Sequence, residues 1–180
     1  MDHTRKLTQG VYWVGGSDRR LALFENLFPV PRGVSYNSYL ILDEKTALMD
    51  TVDAAISRQF LDNVLAVLDG RGLDYLVVDH MEPDHCAAIT ELCQRFPEMK
   101  VVGNAKTFDL MGQFYQLDLT GRTVVVKEGD SLDLGSRRLT FVMAPMVHWP
   151  EVMVTYESTD GLLFSAAALG TFRPVGGRVF

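Results

Sequence analysis

Four residues able to ligate a metal fall within six positions at His80-Met81-Glu82-Pro83-Asp84-His85. Neutral imidazoles and ionised carboxylates bind first-row metals, and a loop at the end of a buried strand can aim several of them at one point. The apolar stretch Leu76-Val77-Val78 just before the run supplies such a strand. A helix beginning near Cys86 with Asp84 as its cap would account for Asp84 alone, leaving both histidines unexplained. A third histidine, His148, follows another apolar stretch, Leu139 to Ala144. His80 and Glu82, two apart in an extended loop, can face one side. With His148 they make two imidazoles and one carboxylate, a set suited to non-haem iron that handles dioxygen, while manganese and zinc also accept mixed nitrogen and oxygen donors. Asp84 and His85 project elsewhere and would begin a second metal position that needs ligands from later in the chain. His148, beside Trp149 and Pro150, also reads as a packed core histidine. Asp79 reads either as the partner that orients a ligating imidazole or as a cap of the loop.

The elements that must carry these donors change character along the chain. Strand-like pieces come first, at Gly10 to Val14, Leu21 to Phe28, Ser38 to Leu42 and Thr46 to Asp50, and suggest a mostly antiparallel start. From Asp53 the apolar residues Ile56, Phe60, Val64, Leu65 and Leu68 recur at helical spacing until Gly70 and Gly72. Tyr75 to Val78 is a strand feeding the His80 loop, and a second helix runs from Cys86 to Phe96, where Pro97 ends it. Lys100 to Gly103 is a strand, and Asn104 caps a third helix from Ala105 to Tyr115. Strands return at Thr123 to Val126, Ser131 to Leu134, Arg138 to Ala144, Val152 to Tyr156 and Leu162 to Ser165. This order predicts a layered α/β fold with mixed sheets, outer helices and chemistry in the loops. Asn37 and Tyr39 could line a cleft or occupy turn and edge positions.

Composition narrows the function. The 180 residues, 47% hydrophobic, suffice for one domain with a sizeable core. Seventeen basic against 23 acidic residues give a net charge of −6, which argues against a nucleic-acid or anionic-membrane partner. Neither a secretory leader nor a membrane-length apolar run is visible, so a cytoplasmic location is expected. Cys86 and Cys93, seven apart on one predicted helix, lack Cys-x-x-Cys spacing and read as reduced core residues. The absence of clustered thiolates argues against a structural zinc, and neither a Gly-x-Ser-x-Gly elbow nor a phosphate-binding glycine loop is present.

The run His80-x-Glu82-x-Asp84-His85, with Gly33-Val34-Ser35-Tyr36-Asn37-Ser38-Tyr39-Leu40 upstream and Val147-His148-Trp149-Pro150-Glu151 downstream, resembles the metallo-β-lactamase-like domain of the flavodiiron proteins. Asp50-Thr51-Val52-Asp53 and Leu163-Phe164-Ser165 extend the likeness over nearly the whole chain. The glutamate at position 82, where the wider superfamily has histidine, is that family's mark of iron in place of a zinc hydrolase site.

The resemblance implies an αββα sandwich over residues 1–180, incomplete in its C-terminal half, with no flavodoxin-like domain. It implies two irons reducing dioxygen or nitric oxide, the first held by His80, Glu82 and His148, the second by Asp84 and His85. Electrons would come from flavin mononucleotide on a partner domain or chain, or from a flavoprotein or rubredoxin-like donor. The family's bridging carboxylate falls on Ala167, which cannot bind metal, and its remaining ligand would lie beyond Phe180. On this reading the second position is weak and activity in isolation impaired. Uncovered sheet faces would drive self-association into a homo-oligomer. A non-catalytic metal-binding or assembly module, and a hydrolase of the same superfamily in which Asp84 orients water, are the alternatives.

Overall fold

The computed structural model describes residues 3–170 and Pro174. The elements in chain order are β1 (Arg5–Thr8), β2 (Val11–Trp13), β3 (Gly16–Asp18), β4 (Leu23–Phe24), β5 (Phe28–Pro29), β6 (Val34–Tyr36), β7 (Tyr39–Leu42), β8 (Thr46–Met49), α1 (Ser57–Leu68), β9 (Tyr75–Val77), α2 (Pro83–Cys86) and α3 (Ile89–Arg95). There follow β10 (Lys100–Gly103), α4 (Ala105–Phe114), β11 (Thr123–Val125), β12 (Ser131–Asp133), β13 (Arg138–Met143), β14 (Met153–Glu157) and β15 (Leu162–Phe164). A seven-stranded sheet has the order β1-β2-β7-β8-β9-β10-β11, and a four-stranded sheet the order β12-β13-β14-β15.

The antiparallel start holds from β1 to β8, after which β8, β9, β10 and β11 run parallel. Parallel neighbours need crossovers, and α1 and α4 supply two of them. Buried on both faces, β8 and β9 are almost continuously apolar: Thr46–Met49 and Tyr75–Val77 are buried at every position. On one face Leu40, Leu48, Leu76 and Val101 pack with Phe60, Val64 and Leu68 of α1 and Ile89 and Leu92 of α3. On the other, Ile41, Met49, Val77 and Val102 meet Leu139, Phe141, Met153 and Phe164 of the second sheet. The layers are therefore helix, sheet, sheet.

Two elements depart from expectation. Leu21 to Phe28 is not one strand, because Glu25 and Asn26 adopt positive φ of 51° and 55° and turn it into the β4–β5 hairpin. The helix expected from Cys86 starts at Pro83, a residue preorganised for a first helical turn, with Glu82 at its N-cap and Asp84 inside that turn. It then breaks, since the Ala88 N–H bonds to Thr51 Oγ1 at 3.3 Å. Cys86 and Cys93 consequently sit on two short helices, both free and buried. Asn104 caps α4 as expected, its Oδ1 accepting from Thr107 N at 3.0 Å. Among the described residues no helix is long and apolar enough to cross a membrane.

Candidate metal centre

The carboxyl ends of β8, β9 and β10 lie side by side, as their parallel pairing requires, and the loops leaving them carry Asp50, the run from Asp79 to His85, and Asn104. Loops at such strand ends are where open parallel sheets gather their chemistry. The second sheet contributes the loop between β13 and β14, which bears His148, Trp149 and Glu151. The site forms where these two sets of loops meet.

There His80 Nε2 lies 3.0 Å from Glu82 Oε2 and 3.2 Å from His148 Nε2, and His148 Nε2 lies 3.1 Å from the same Glu82 oxygen. Three donor atoms so close, converging on one point, suit a cation held between them. Ligands about 2.1 Å from a common point and at right angles to one another stand about 3.0 Å apart. His80, Glu82 and His148 thus fit one face of a metal's ligand polyhedron. His80 is fully buried and Glu82 nearly so, whereas the His148 side chain is 54% exposed. Trp149 covers the centre, its ring edge-on to His80 with centroids 5.4 Å apart.

Electrostatics favour positive charge here. Burial pulls the His80 pKa down, yet hydrogen bonds to Glu151 and Glu82 prevail and raise it to about 9. Burial pushes Glu82 up, but His80 and a hydrogen bond from Glu25 hold it down at about 2. Glu25, at the tip of the β4–β5 hairpin, is in turn raised to about 7 by that bond to Glu82 and by burial. A cavity of about 270 Å³ lies beside these groups, lined by Glu25, Glu82, Asp84, Asp18, Tyr36 and Asp53.

The other two predicted donors lie next to this triangle. Asp84 Oδ2 is 3.6 Å from His85 Nε2, and Asp84 Oδ1 is buried without a hydrogen-bond partner. Among the described residues they do not join the His80, Glu82 and His148 group. Ala167 stands exposed in the turn after β15 and offers no ligand.

Residues 34–176 match the sequence pattern of the family described as ODP family beta lactamase. The chain belongs to that family, the metallo-β-lactamase-like domain of flavodiiron proteins. This ODP domain is 39% identical over 170 residues to the anaerobic nitric oxide reductase flavorubredoxin of Pectobacterium atrosepticum, covering 93% of the chain and 33% of that protein. It is 39% identical over 165 residues to the nitric oxide reductase of Moorella thermoacetica, covering 91% of the chain and 41% of that protein. The crystal structure of the flavodiiron protein from Giardia intestinalis superimposes with a TM-score of 0.90 at 29% identity, over 98% of this chain and 42% of that one. The rubredoxin oxygen:oxidoreductase of Desulfovibrio gigas superimposes with a TM-score of 0.77 at 33% identity, over 86% and 38%. The ODP domain spans about a third to two-fifths of the length of these relatives.

Within the ODP domain the imidazoles are held by carboxylates other than Asp79. Glu151 Oε1 lies 2.8 Å from His80 Nδ1, and Asp50 Oδ2 lies 3.0 Å from His85 Nδ1. Asp79 is buried with its carboxylate on Thr155 Oγ1 at 2.7 Å, while its N–H donates to Asp50 Oδ1. Asp79 thus reaches the histidines through Asp50 rather than directly. Position in the sequence could not have assigned Asp50 or Glu151, although Asp50 directly follows β8 and Glu151 stands two residues before β14. Asn37 and Tyr39 line a separate cavity of about 220 Å³ with Asp50 and Asp79.

Proposed function

We propose that this domain is the metal-bearing part of a flavodiiron-type oxidoreductase that reduces nitric oxide or dioxygen at non-haem iron. The carrying observation is the triangle of His80 Nε2, Glu82 Oε2 and His148 Nε2 with sides of 3.0 to 3.2 Å. Iron bound there would supply open coordination positions for a small gas and accept electrons one at a time. The chain's own residues prepare the place. Glu82 brings negative charge to the triangle, Trp149 walls its buried side, and the exposure of His148 leaves an approach from solvent. Position 82 favours iron over zinc by putting a hard oxygen donor between two imidazoles, though zinc remains compatible with the set.

Asp84 and His85 would hold a second ion less firmly, since two donors bind worse than three. Electrons would arrive from a flavin mononucleotide domain or chain, or from a rubredoxin-like protein, since the relatives named above include a flavorubredoxin and a rubredoxin oxygen:oxidoreductase. Free buried thiols at Cys86 and Cys93 suit the reducing cytoplasm. Val142, Tyr156 and Leu163 lie 39%, 40% and 49% exposed on the outer face of the second sheet, which favours self-association. Ala167 favours a second reading, a metal-binding assembly module without turnover.

The deciding experiment is metal analysis of protein purified without oxygen or chelator, alongside His80→Ala, followed by anaerobic nitric oxide and dioxygen consumption with a chemically reduced flavoprotein donor. About one iron per chain, lost in the variant, with gas consumption that depends on it, is expected. Bound iron without consumption would leave the assembly reading, and no bound metal in the parent chain would overturn both.

A further inference from the structure

The geometry points to Glu151 as the positioning residue of the metal centre, fixing the His80 ring and raising its donor strength; the inference rests on the metal reading above. Glu151 is fully buried. Its Oε1 takes two hydrogen bonds, from His80 Nδ1 at 2.8 Å and from the Met81 N–H at 2.9 Å. Because that oxygen already accepts from a backbone N–H, an ionised Glu151 compels His80 to carry its proton on Nδ1. Nε2 then presents its lone pair to Glu82 and His148, the tautomer a ligand needs.

The charge of this carboxylate has nowhere else to go. Glu151 Oε2 is buried without a hydrogen-bond partner, so both of the side chain's bonds converge on the His80 loop. Asp50, the carboxylate on His85, is shared more widely: its oxygens also serve the N–H groups of Asp79 and His80. In a dry setting a buried anion with only two hydrogen bonds polarises the imidazole it touches and strengthens it as a donor. The backbone holds Glu151 as firmly as the side chain holds His80, since the Glu151 carbonyl accepts from Asn104 Nδ2 at 2.6 Å and Asn104 is the cap of α4. Glu151 thereby joins three loops, its own, which carries His148, the His80 loop and the start of α4.

The test uses Co2+ as an iron-like probe with a visible spectrum, added under anaerobic conditions to the full chain, to Glu151→Ala and to Glu151→Gln. The parent chain is expected to bind Co2+, with affinity falling about 10- to 100-fold in the alanine variant. Glutamine keeps an acceptor oxygen but loses the charge, so about a tenfold loss and an altered ligand-field absorption are expected there. Unchanged affinity and spectrum in both variants, even with a lowered melting temperature, would show a merely structural residue and overturn the inference. Should Glu151→Ala fail to fold, Glu151→Gln decides alone, since it preserves the shape. Failure of the parent chain to bind Co2+ would overturn the metal reading first and this inference with it, an outcome visible before any variant is compared.

Discussion

The carboxylate of Glu151 meets the imidazole of His80 at 2.8 Å across 71 positions of chain, while His148, only three residues before Glu151, meets the other nitrogen of the same ring at 3.2 Å. One short loop of the second sheet therefore reaches both nitrogens of a histidine that belongs to the first. A single buried ring thus joins the two sheets at the candidate metal centre.

His148 is the candidate ligand whose loss should separate binding from folding. Its side chain is about half exposed, so His148→Ala removes a donor without opening a core cavity. Metal content should drop well below one ion per chain, while unfolding of the metal-free protein should move by no more than about 0.5 kcal/mol. A metal-free unfolding midpoint that collapses in this variant would show that His148 is part of the packing instead.

At the opposite end, Arg137 ties the sheets together. Its guanidinium pairs with the fully buried Glu157 at 2.9 Å and with Asp160 at 2.7 Å, and bonds to the carbonyl of Gln9. Arg137→Ala would leave the buried Glu157 charge only the Thr159 and Asp160 N–H groups, at a cost of about 3 kcal/mol. Denaturant unfolding should show this loss with the slope unchanged. A shift below about 1 kcal/mol would mean that Glu157 finds other partners.

Asp43 should make stability depend on acid. Burial raises its pKa, but bonds from Ser136 Oγ and the Arg137 N–H prevail and hold it below the usual value. A carboxyl depressed in the folded state stabilises above its unfolded pKa of about 3.9, and that share is lost as pH falls through the lower folded value. The stability difference between the parent chain and Asp43→Asn should therefore be constant near neutrality and shrink below about pH 4. A difference that stays constant down to pH 2 would exclude this origin.

Asn104→Ala removes a helix cap and one anchor of Glu151 together. A cap alone is worth about 1 kcal/mol. Thermal unfolding should report that loss, and metal affinity should fall as well, because the Glu151 backbone is released. Lost stability with unchanged affinity would show that the His80 bond alone suffices to hold Glu151.

By itself the sequence determined which donors exist and which strand ends present them. An apolar run buried on both faces, followed by His80, Glu82, Asp84 and His85, has few architectures open to it, since such strands are covered on both sides and their polar residues are left at the ends. Asn104 as a cap was legible for the same reason: capping is local, and an asparagine side chain reaches only its own helix start. Only the tertiary structure decided which carboxylate serves which histidine. Asp79, adjacent to His80, bonds to Thr155, while Glu151 and Asp50 arrive from distant loops, because successive residues leaving a strand point to opposite sides. The β4–β5 hairpin and the break after Cys86 were hidden likewise. In the hairpin Glu25 and Asn26 take up left-handed turn conformations, and at the break the Ala88 N–H bonds to a threonine 37 positions away. Composition records what a residue can bond to, and packing selects the partner from whatever the fold brings within 3 Å.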